Sequence, residues 1–177
     1  SWADAGHEVA FGQKIYKKIP AFHASEKPIR VVHGKVNIGV KGEDFDCLFS
    51  MLSGGLVSYR YAGKEMIEKI PMPNFWRAPV DNDNGSMAPA RYAQWKIASM
   101  YISHRNGGMF DNVPTKVEEK DNTVTVTYTY FMPTTPAGKC QVSYTVFGDG
   151  TIETKLMYDP AEGLPDMPEV AIPGQTT

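Results

Sequence analysis

The sequence lacks most of the features that mark specialised classes of protein. Its two cysteines, Cys47 and Cys140, form no CxxC pair and have no histidines in a metal-binding spacing, so a zinc site is not indicated. Both lie in alternating, strand-like segments, which predicts two buried thiols, with a disulfide left open by the sequence. The net charge is −2, and charges of both signs are mixed along the chain. No basic stripe indicates a nucleic-acid partner, and no apolar run is long enough to indicate a membrane span.

Motifs for catalysis and phosphate binding are absent as well. There is no GxSxG nucleophile turn and no GxxxxGK[ST] or GxGxxG loop. Glycoside hydrolysis needs two carboxylates roughly 5 to 10 Å apart, one of them a general acid. Asp81 and Asp83 share one polar loop, where we expect too little burial to raise the pKa of either carboxyl group. A calcium loop would need the longer EF-hand pattern. The sequence therefore predicts neither a catalytic residue nor a metal site.

From Ile29 onward, apolar and polar residues alternate in short runs separated by turns. The clearest run is 123–130, where threonine alternates with valine and tyrosine, as expected of a strand with one buried face. Gly54-Gly55 and Gly148-Asp149-Gly150 lie between such runs and predict hairpin turns. Strands joined by tight turns favour antiparallel meanders over βαβ units. We predict an all-β fold, an antiparallel β-sandwich.

One short helix is predicted within this β-rich chain, from Ala88 to about Tyr101. Pro89 suits the first turn of a helix, and Tyr92 and Trp95 belong to a partial apolar face. A tryptophan at helical spacing is expected to pack on the sheet, although an exposed indole that stacks on a sugar ring is the alternative.

A connector at residues 20–28 separates two regions. Its prolines and polar residues are unfavourable for a helix or a strand. We therefore predict that residues 1–24 are the terminal strand and linker of one domain and that residues 25–177 belong to the next. Because the first methionine is Met51, we expect the sequence to be a piece of a longer protein.

The most unusual stretch runs from Asn74 to Gly85. It contains Phe-Trp-Arg-Ala-Pro at 75–79 and Asp-Asn-Asp-Asn-Gly at 81–85. Proline lacks a backbone donor, and Asp and Asn side chains compete for backbone hydrogen bonds, so we expect an ordered loop. Such a loop either presents polar groups to a ligand or a neighbouring domain, or is a turn whose carboxylates cap the following helix.

The same stretch resembles a motif of a known family. Phe75-Trp76-Arg77-Ala78-Pro79 followed by Asp81-Asn82-Asp83 is similar to a motif near the start of the last domain of large β-galactosidases of glycoside hydrolase family 2. Trp2-Ala3-Asp4-Ala5-Gly6-His7-Glu8-Val9-Ala10 resembles the closing strand of the preceding immunoglobulin-like domain. The motifs occur in the family's order, and the resemblance reaches about Asp159. It implies that residues 25–177 are the N-terminal part of the small-chain domain, a galactose mutarotase-like β-supersandwich.

The resemblance also assigns roles to residues of the central stretch. In this family the last domain leans over the mouth of the catalytic barrel, and the segment after Asp-Asn-Asp borders the cleft. Substrate contacts are therefore expected from Asn82, Asp83 and Gly85. Trp76 and Arg77 are expected to anchor the loop, with Asp81 pairing with Arg77 or capping the helix.

The function implied by the resemblance is that of a non-catalytic C-terminal part of a β-galactosidase, because the family's catalytic glutamates belong to a barrel that this chain lacks. The whole enzyme would hydrolyse terminal β-D-galactosides such as lactose with retention. Its Mg²⁺ or Na⁺ would be held in other domains, so no cofactor or metal is expected here. The expected partners are the catalytic barrel, the galactoside substrate and, in a homo-oligomer, further copies.

Two other functions are compatible with the residues. One is an autonomous carbohydrate-binding module, in which exposed aromatic residues and the Asp/Asn loop hold sugar hydroxyls. The other is a purely structural assembly domain that associates through uncovered strand edges. The sequence does not fix the compartment (cytoplasmic or periplasmic in a bacterium), the natural galactoside or the oligomeric state.

Overall fold

The computed structural model describes residues 25–104, 116–168 and 172. The strand and linker predicted for residues 1–24 lie outside the described residues, so the domain boundary after residue 24 stays a prediction. Within the described ranges the chain forms nine strands and three short helices.

The first sheet is a five-stranded antiparallel meander built from one continuous stretch of chain. Its strands are β1 (Arg30–His33), β2 (Asn37–Lys41), β3 (Phe45–Ser50), β4 (Gly55–Tyr61) and β5 (Lys64–Glu65). Each strand pairs with the next along the chain. Ala62 and Gly63, both with positive φ, form the two-residue turn between β4 and β5.

The second sheet is a four-stranded antiparallel meander from the last third of the chain. Its strands are β6 (Lys116–Lys120), β7 (Thr123–Met132), β8 (Gly138–Phe147) and β9 (Ile152–Asp159). The period of two in the sequence of β7 is realised in full, since its valines and tyrosines are buried while the threonines between them are half-buried. The predicted turn at 148–150 joins β8 to β9, with Gly150 at φ +89°.

The two sheets pack face to face around one apolar core, and buried tyrosines of the second sheet reach across it. The Tyr130 hydroxyl donates to the carbonyl of Gly54, in the turn before β4, and the Tyr128 hydroxyl donates to the carbonyl of Gly55, the first residue of β4. The Tyr144 hydroxyl donates to the carbonyl of Pro71, 3.2 Å away, and its burial raises the pKa of Tyr144 to about 12. These bonds satisfy polar groups that burial would otherwise penalise. The predicted all-β antiparallel sandwich is confirmed.

The two cysteines are buried and unbonded to each other, as the preferred interpretation of the sequence predicted. Cys47 lies on the inner face of β3 and Cys140 on the inner face of β8. Burial raises the pKa of each thiol to about 12, so both stay protonated at neutral pH and are poor nucleophiles.

The helical segment differs from the prediction in two respects. Residues 81–85, expected to be a loop, form a one-turn helix, α1 (Asp81–Gly85). The helix expected from Ala88 to Tyr101 is divided into α2 (Ala88–Arg91) and α3 (Ala93–Tyr101). The division falls at Tyr92, whose φ of −105° and ψ of 12° lie outside the helical region. Among the described residues, no helix has the length and apolar character needed to cross a membrane.

The turn that precedes β4 makes a close contact that can be tested. Gly54→Ala is expected to lower the free energy of unfolding by about 2–4 kcal/mol, from left-handed strain and overpacking together. Gly54 has φ +72°, and an added Cβ would lie 2.2 Å from Nδ1 of His104. Gly63→Ala is the matched control, because φ is +80° there but nothing lies within 4 Å of the added Cβ. It should cost only about 1 kcal/mol. Urea unfolding followed by tryptophan fluorescence measures both, and equal losses would contradict the close contact.

Candidate functional site

The candidate site is the segment 74–85 together with the helices that follow it. The segment is held from below by Phe75, which is fully buried. The Phe75 ring lies 5.9 Å from the ring of Trp95 in α3 and 5.7 Å from the ring of Tyr158 in β9. Trp95 and Tyr158 also meet each other edge to face at 6.1 Å. The loop segment, the nearby helix α3 and the sequence-distant strand β9 therefore meet at Phe75.

Hydrogen bonds tie the same segments together. The backbone N–H of Phe75 donates to Oγ of Ser99 at 2.8 Å, and that hydroxyl donates to the carbonyl of Trp95 at 2.8 Å. The indole Nε1 of Trp95 donates to the carbonyls of Pro165 and Asp166, at 3.2 and 3.1 Å. With 1 % of its surface exposed, Trp95 is a core residue, and its face is not available to stack on a sugar ring.

Above this base, an arginine fork closes the loop onto itself. Arg77 binds Asp83 with both terminal nitrogens: Nη1 donates to Oδ2 at 2.6 Å and Nη2 to Oδ1 at 3.0 Å. Nη1 also donates to the carbonyl of Ala78 at 3.2 Å. A bidentate pair of this kind fixes orientation as well as distance.

The same carboxylate explains why residues 81–85 become helical. Oδ2 of Asp83 accepts the backbone N–H of Val80, 2.8 Å away, which satisfies a donor at the helix N-terminus. Because valine has no side-chain acceptor, only this half of a capping box forms. Asp81 and Asp83 both lie in the first turn, where negative charge is favourable. Asp/Asn competition for backbone donors thus stabilises one turn of helix here instead of preventing it.

Asp83 is the carboxylate bound by the Arg77 fork, whereas the sequence interpretation expected Asp81 to pair with Arg77 or to cap the helix. Asp81 is exposed at the first position of α1. The Arg77 fork and the Val80 N–H hold the pKa of Asp83 below its usual range, so Asp83 is ionised at neutral pH. Both of its oxygens therefore serve the loop's own structure.

A pocket of about 240 Å³ opens beside the fork. Its walls include Trp76 and Arg77 from the loop, Tyr92 from the break between the helices, and Met167 from the segment after β9. Among the described residues of its lining, Asp83 is the one carboxylate, and it is paired with Arg77. This part of the lining thus has aromatic side chains and a cation–carboxylate pair, which suit binding, and one carboxylate where a glycosidase needs two.

The remaining predicted substrate contacts lie on the outer surface of α1. Asn82 and Gly85 are exposed, and nothing lies within 4 Å of a Cβ built on Gly85. They do not line the pocket. Their role toward a substrate stays a prediction. In the described part of the chain, no cluster of three or more His, Cys, Asp or Glu side chains could hold a metal ion.

Sequence reasoning missed two walls of the pocket. Met167 and Pro168 come from a segment about 80 residues after the loop, and no local pattern marks them as its neighbours. Tyr92 was placed within a continuous helix. The break at Tyr92 presents its ring to the pocket, and the Arg91 guanidinium lies 5.1 Å from the centre of that ring.

Fold and site together define a β-sandwich domain with a loop that is closed by an Arg77–Asp83 pair and a pocket beside that pair. A family model described as beta galactosidase small chain matches residues 41–175. The chain belongs to the β-galactosidase small-chain family.

Individual relatives agree with this assignment. The chain is 43% identical to a β-galactosidase of Halalkalibacterium halodurans over 97% of its own length and 17% of the relative's. It is 41% identical to a β-galactosidase of Clostridium acetobutylicum over 94% of the chain and 18% of the relative. It is 36% identical to a β-galactosidase small subunit of Latilactobacillus sakei over 81% of the chain and 49% of the relative. The chain thus spans at most about half the length of these relatives.

The Arg77–Asp83 pair predicts a pH dependence of stability. The pKa of Asp83 is lower in the folded chain than its ordinary value of 3.8. The pair therefore stabilises the fold above pH 3.8, and this stabilisation is lost as the pH falls through the folded pKa. Asp83→Asn should be less stable than the parent at pH 7, and its stability should fall less steeply in acid.

Urea unfolding at a series of pH values between 2 and 7 measures this difference. Asp81→Asn is the matched control, because it removes the same charge from the same helical turn and leaves the Arg77 fork intact. A parallel pH profile for Asp83→Asn and the parent chain would show that the pair does not stabilise the fold.

Proposed function

We propose that this chain is a non-catalytic part of a β-galactosidase, in which it forms a wall of the galactoside cleft and associates with the catalytic part. The observation on which the proposal rests is the match of the small-chain family to residues 41–175. The enzyme would hydrolyse terminal β-D-galactosides such as lactose, as the resemblance to glycoside hydrolase family 2 implies.

The geometry of the site favours a non-catalytic role, in which the loop shapes the cleft, over a catalytic one. Among the described residues that line the pocket, Asp83 is the only carboxylate, and the Arg77 fork keeps it ionised and engaged. A general acid must instead hold a proton near neutral pH, which requires a raised pKa. The loop therefore offers shape and fixed charge, and the acid and nucleophile come from outside this chain.

The loop is also built to hold its shape against a substrate. Its base is the buried Phe75 cluster, and its upper part is closed by the bidentate fork. Polar groups that are held by such contacts bind a ligand with little further ordering, so less conformational entropy is lost on binding. In this arrangement Asn82 and Gly85, on the exposed side of α1, face the galactoside.

Capture of the native protein tests the proposal directly. An antibody against this chain should retain, from lysate of the source cells, an assembly that hydrolyses a chromogenic β-galactoside. The isolated 177-residue chain should be inactive in the same assay, because the described residues around its pocket include a single carboxylate, Asp83. Retention of a protein without β-galactosidase activity would overturn the proposal, as would activity of the isolated chain.

The cleft-wall role predicts a kinetic effect at Gly85. In the active enzyme, Gly85→Ala should raise KM or lower kcat several-fold, because the added methyl group stiffens and enlarges the turn that faces the substrate. Stability should stay the same or rise by about 0.5–1 kcal/mol, since nothing clashes with the new Cβ and alanine favours helix.

Gly39→Ala is the control for this prediction. It makes the same change in β2, where the new Cβ would be in ordinary contact with Val32 at 3.9 Å, and it should leave the kinetics unaltered. Unchanged kinetics for Gly85→Ala would remove Gly85 from the cleft wall.

A second candidate, an autonomous carbohydrate-binding module, is favoured by the aromatic walls of the pocket. Trp76 and Tyr92 both line it, and an indole beside a polar pair is a common platform for a sugar ring. Titration of the chain with galactose should then quench tryptophan fluorescence, and Trp76→Phe should abolish the change. An unaltered spectrum at saturating galactose would exclude this candidate.

A further inference from the structure

Helix α3 is apolar on both of its faces. On the inner face, Trp95 and Ala98 are 1 % and 0 % exposed. On the opposite side, Ile97, Met100 and Tyr101 are 46 %, 62 % and 64 % exposed. Residues three and four apart share one side of a helix, so these three side chains form a single surface. With the exposed Ala93 and Lys96, they constitute what we call the α3 outer face.

The side chains of Ser99 and Gln94 in α3 are bonded to other parts of the chain and do not belong to the α3 outer face. Ser99 is turned inward, where it binds the Phe75 N–H and the Trp95 carbonyl. Gln94 accepts the backbone N–H of Thr135 at 3.2 Å. Lys96 is thus the one charged residue of the α3 outer face. Apolar residues on all sides of a helix are typical of a helix that is covered on all sides. Exposed apolar residues that form a cluster mark interaction sites.

A single exposed apolar residue elsewhere gives a useful contrast. Met157 is 53 % exposed on β9. Because alternate residues of a strand share a face, its neighbours on that face are Glu153, Lys155 and Asp159, all exposed and charged. The surroundings of Met157 are those of an ordinary solvated strand, whereas Met100 lies beside Ile97 and Tyr101.

We propose that the α3 outer face is the surface by which this chain docks on the rest of the β-galactosidase, against an apolar surface with an acceptor for Lys96 at its rim. The proposal rests on the proposed function. The chain is only 17–18% of two related β-galactosidases, so most of such an enzyme lies outside it. A third relative is a separate small subunit, which must associate through its surface.

The position of α3 connects this docking surface to the site. Ser99 and Trp95, on the inner side of the helix, hold the base of the loop at Phe75. Val80 and Met87, which flank α1, are also exposed, at 54 % and 66 %. Contact on the outer side of α3 would therefore fix the helix that supports the loop and set the loop against the catalytic part.

Methionine oxidation provides a test that needs no mutation. The native assembled protein is treated with dilute hydrogen peroxide, and the sulfoxide at Met100 and at Met157 is followed by mass spectrometry. Met100, though more exposed than Met157 in the chain itself, should oxidise several-fold more slowly in the assembly. The difference should vanish in urea. Equal or faster oxidation of Met100 in the native protein would overturn the proposal.

Photo-crosslinking identifies what covers the face. With Met100→p-benzoylphenylalanine, crosslinked peptides should come from outside residues 1–177, and Met157→p-benzoylphenylalanine should yield none from there. A crosslink from position 100 to residues 1–177, of the same or a second copy, would overturn the proposal, as would no crosslink.

β-Galactosidase activity of the same preparation separates the docking surface from the proposed function. An active assembly with an unprotected Met100 refutes the docking surface alone, and an inactive assembly refutes the proposed function.

Discussion

The burial of Phe75 against Trp95 and Tyr158 is the contact on which the candidate site depends. Complete removal of a phenylalanine side chain from water is worth about 1.5–3 kcal/mol, which is a large part of the net stability of a domain. Here the burial also determines position, because it fixes the loop to α3 and to β9 at one point. The Arg77–Asp83 fork adds orientation above this base. Without this base, the fork would hold the loop's own shape but would not fix its position on the domain.

Local regularity explains which features could be predicted from the sequence. The strand β7 follows from its threonine alternation, and the turns that end at Gly54 and span 148–150 follow from glycines between alternating runs. Each of these depends on neighbours a few residues away. The buried thiols follow in the same manner, since a cysteine on the apolar side of an alternating strand points into the core.

The candidate site required information that local patterns do not contain. Asp81 and Asp83 are chemically equivalent in the sequence. Side chains two positions apart in a helix point in directions about 200° apart around its axis, so only one of the two can face Arg77. The choice follows from α1 being helical, and that depends in turn on Asp83 accepting the Val80 N–H. The contact of α3 with the segment after β9, between the indole of Trp95 and the carbonyls of Pro165 and Asp166, joins residues about 70 positions apart. No periodicity encodes it.

The arrangement of the two sheets has a consequence for the order of folding. Each sheet is a meander of one continuous stretch, so its strand pairs are local and close loops of low entropic cost. Closure of the sandwich is different, because it joins strands separated by the whole helical segment. The Phe75 cluster needs α3 and β9 in place at once. The pocket should thus be among the last parts of the molecule to form, and a partly folded chain would have both sheets but no site.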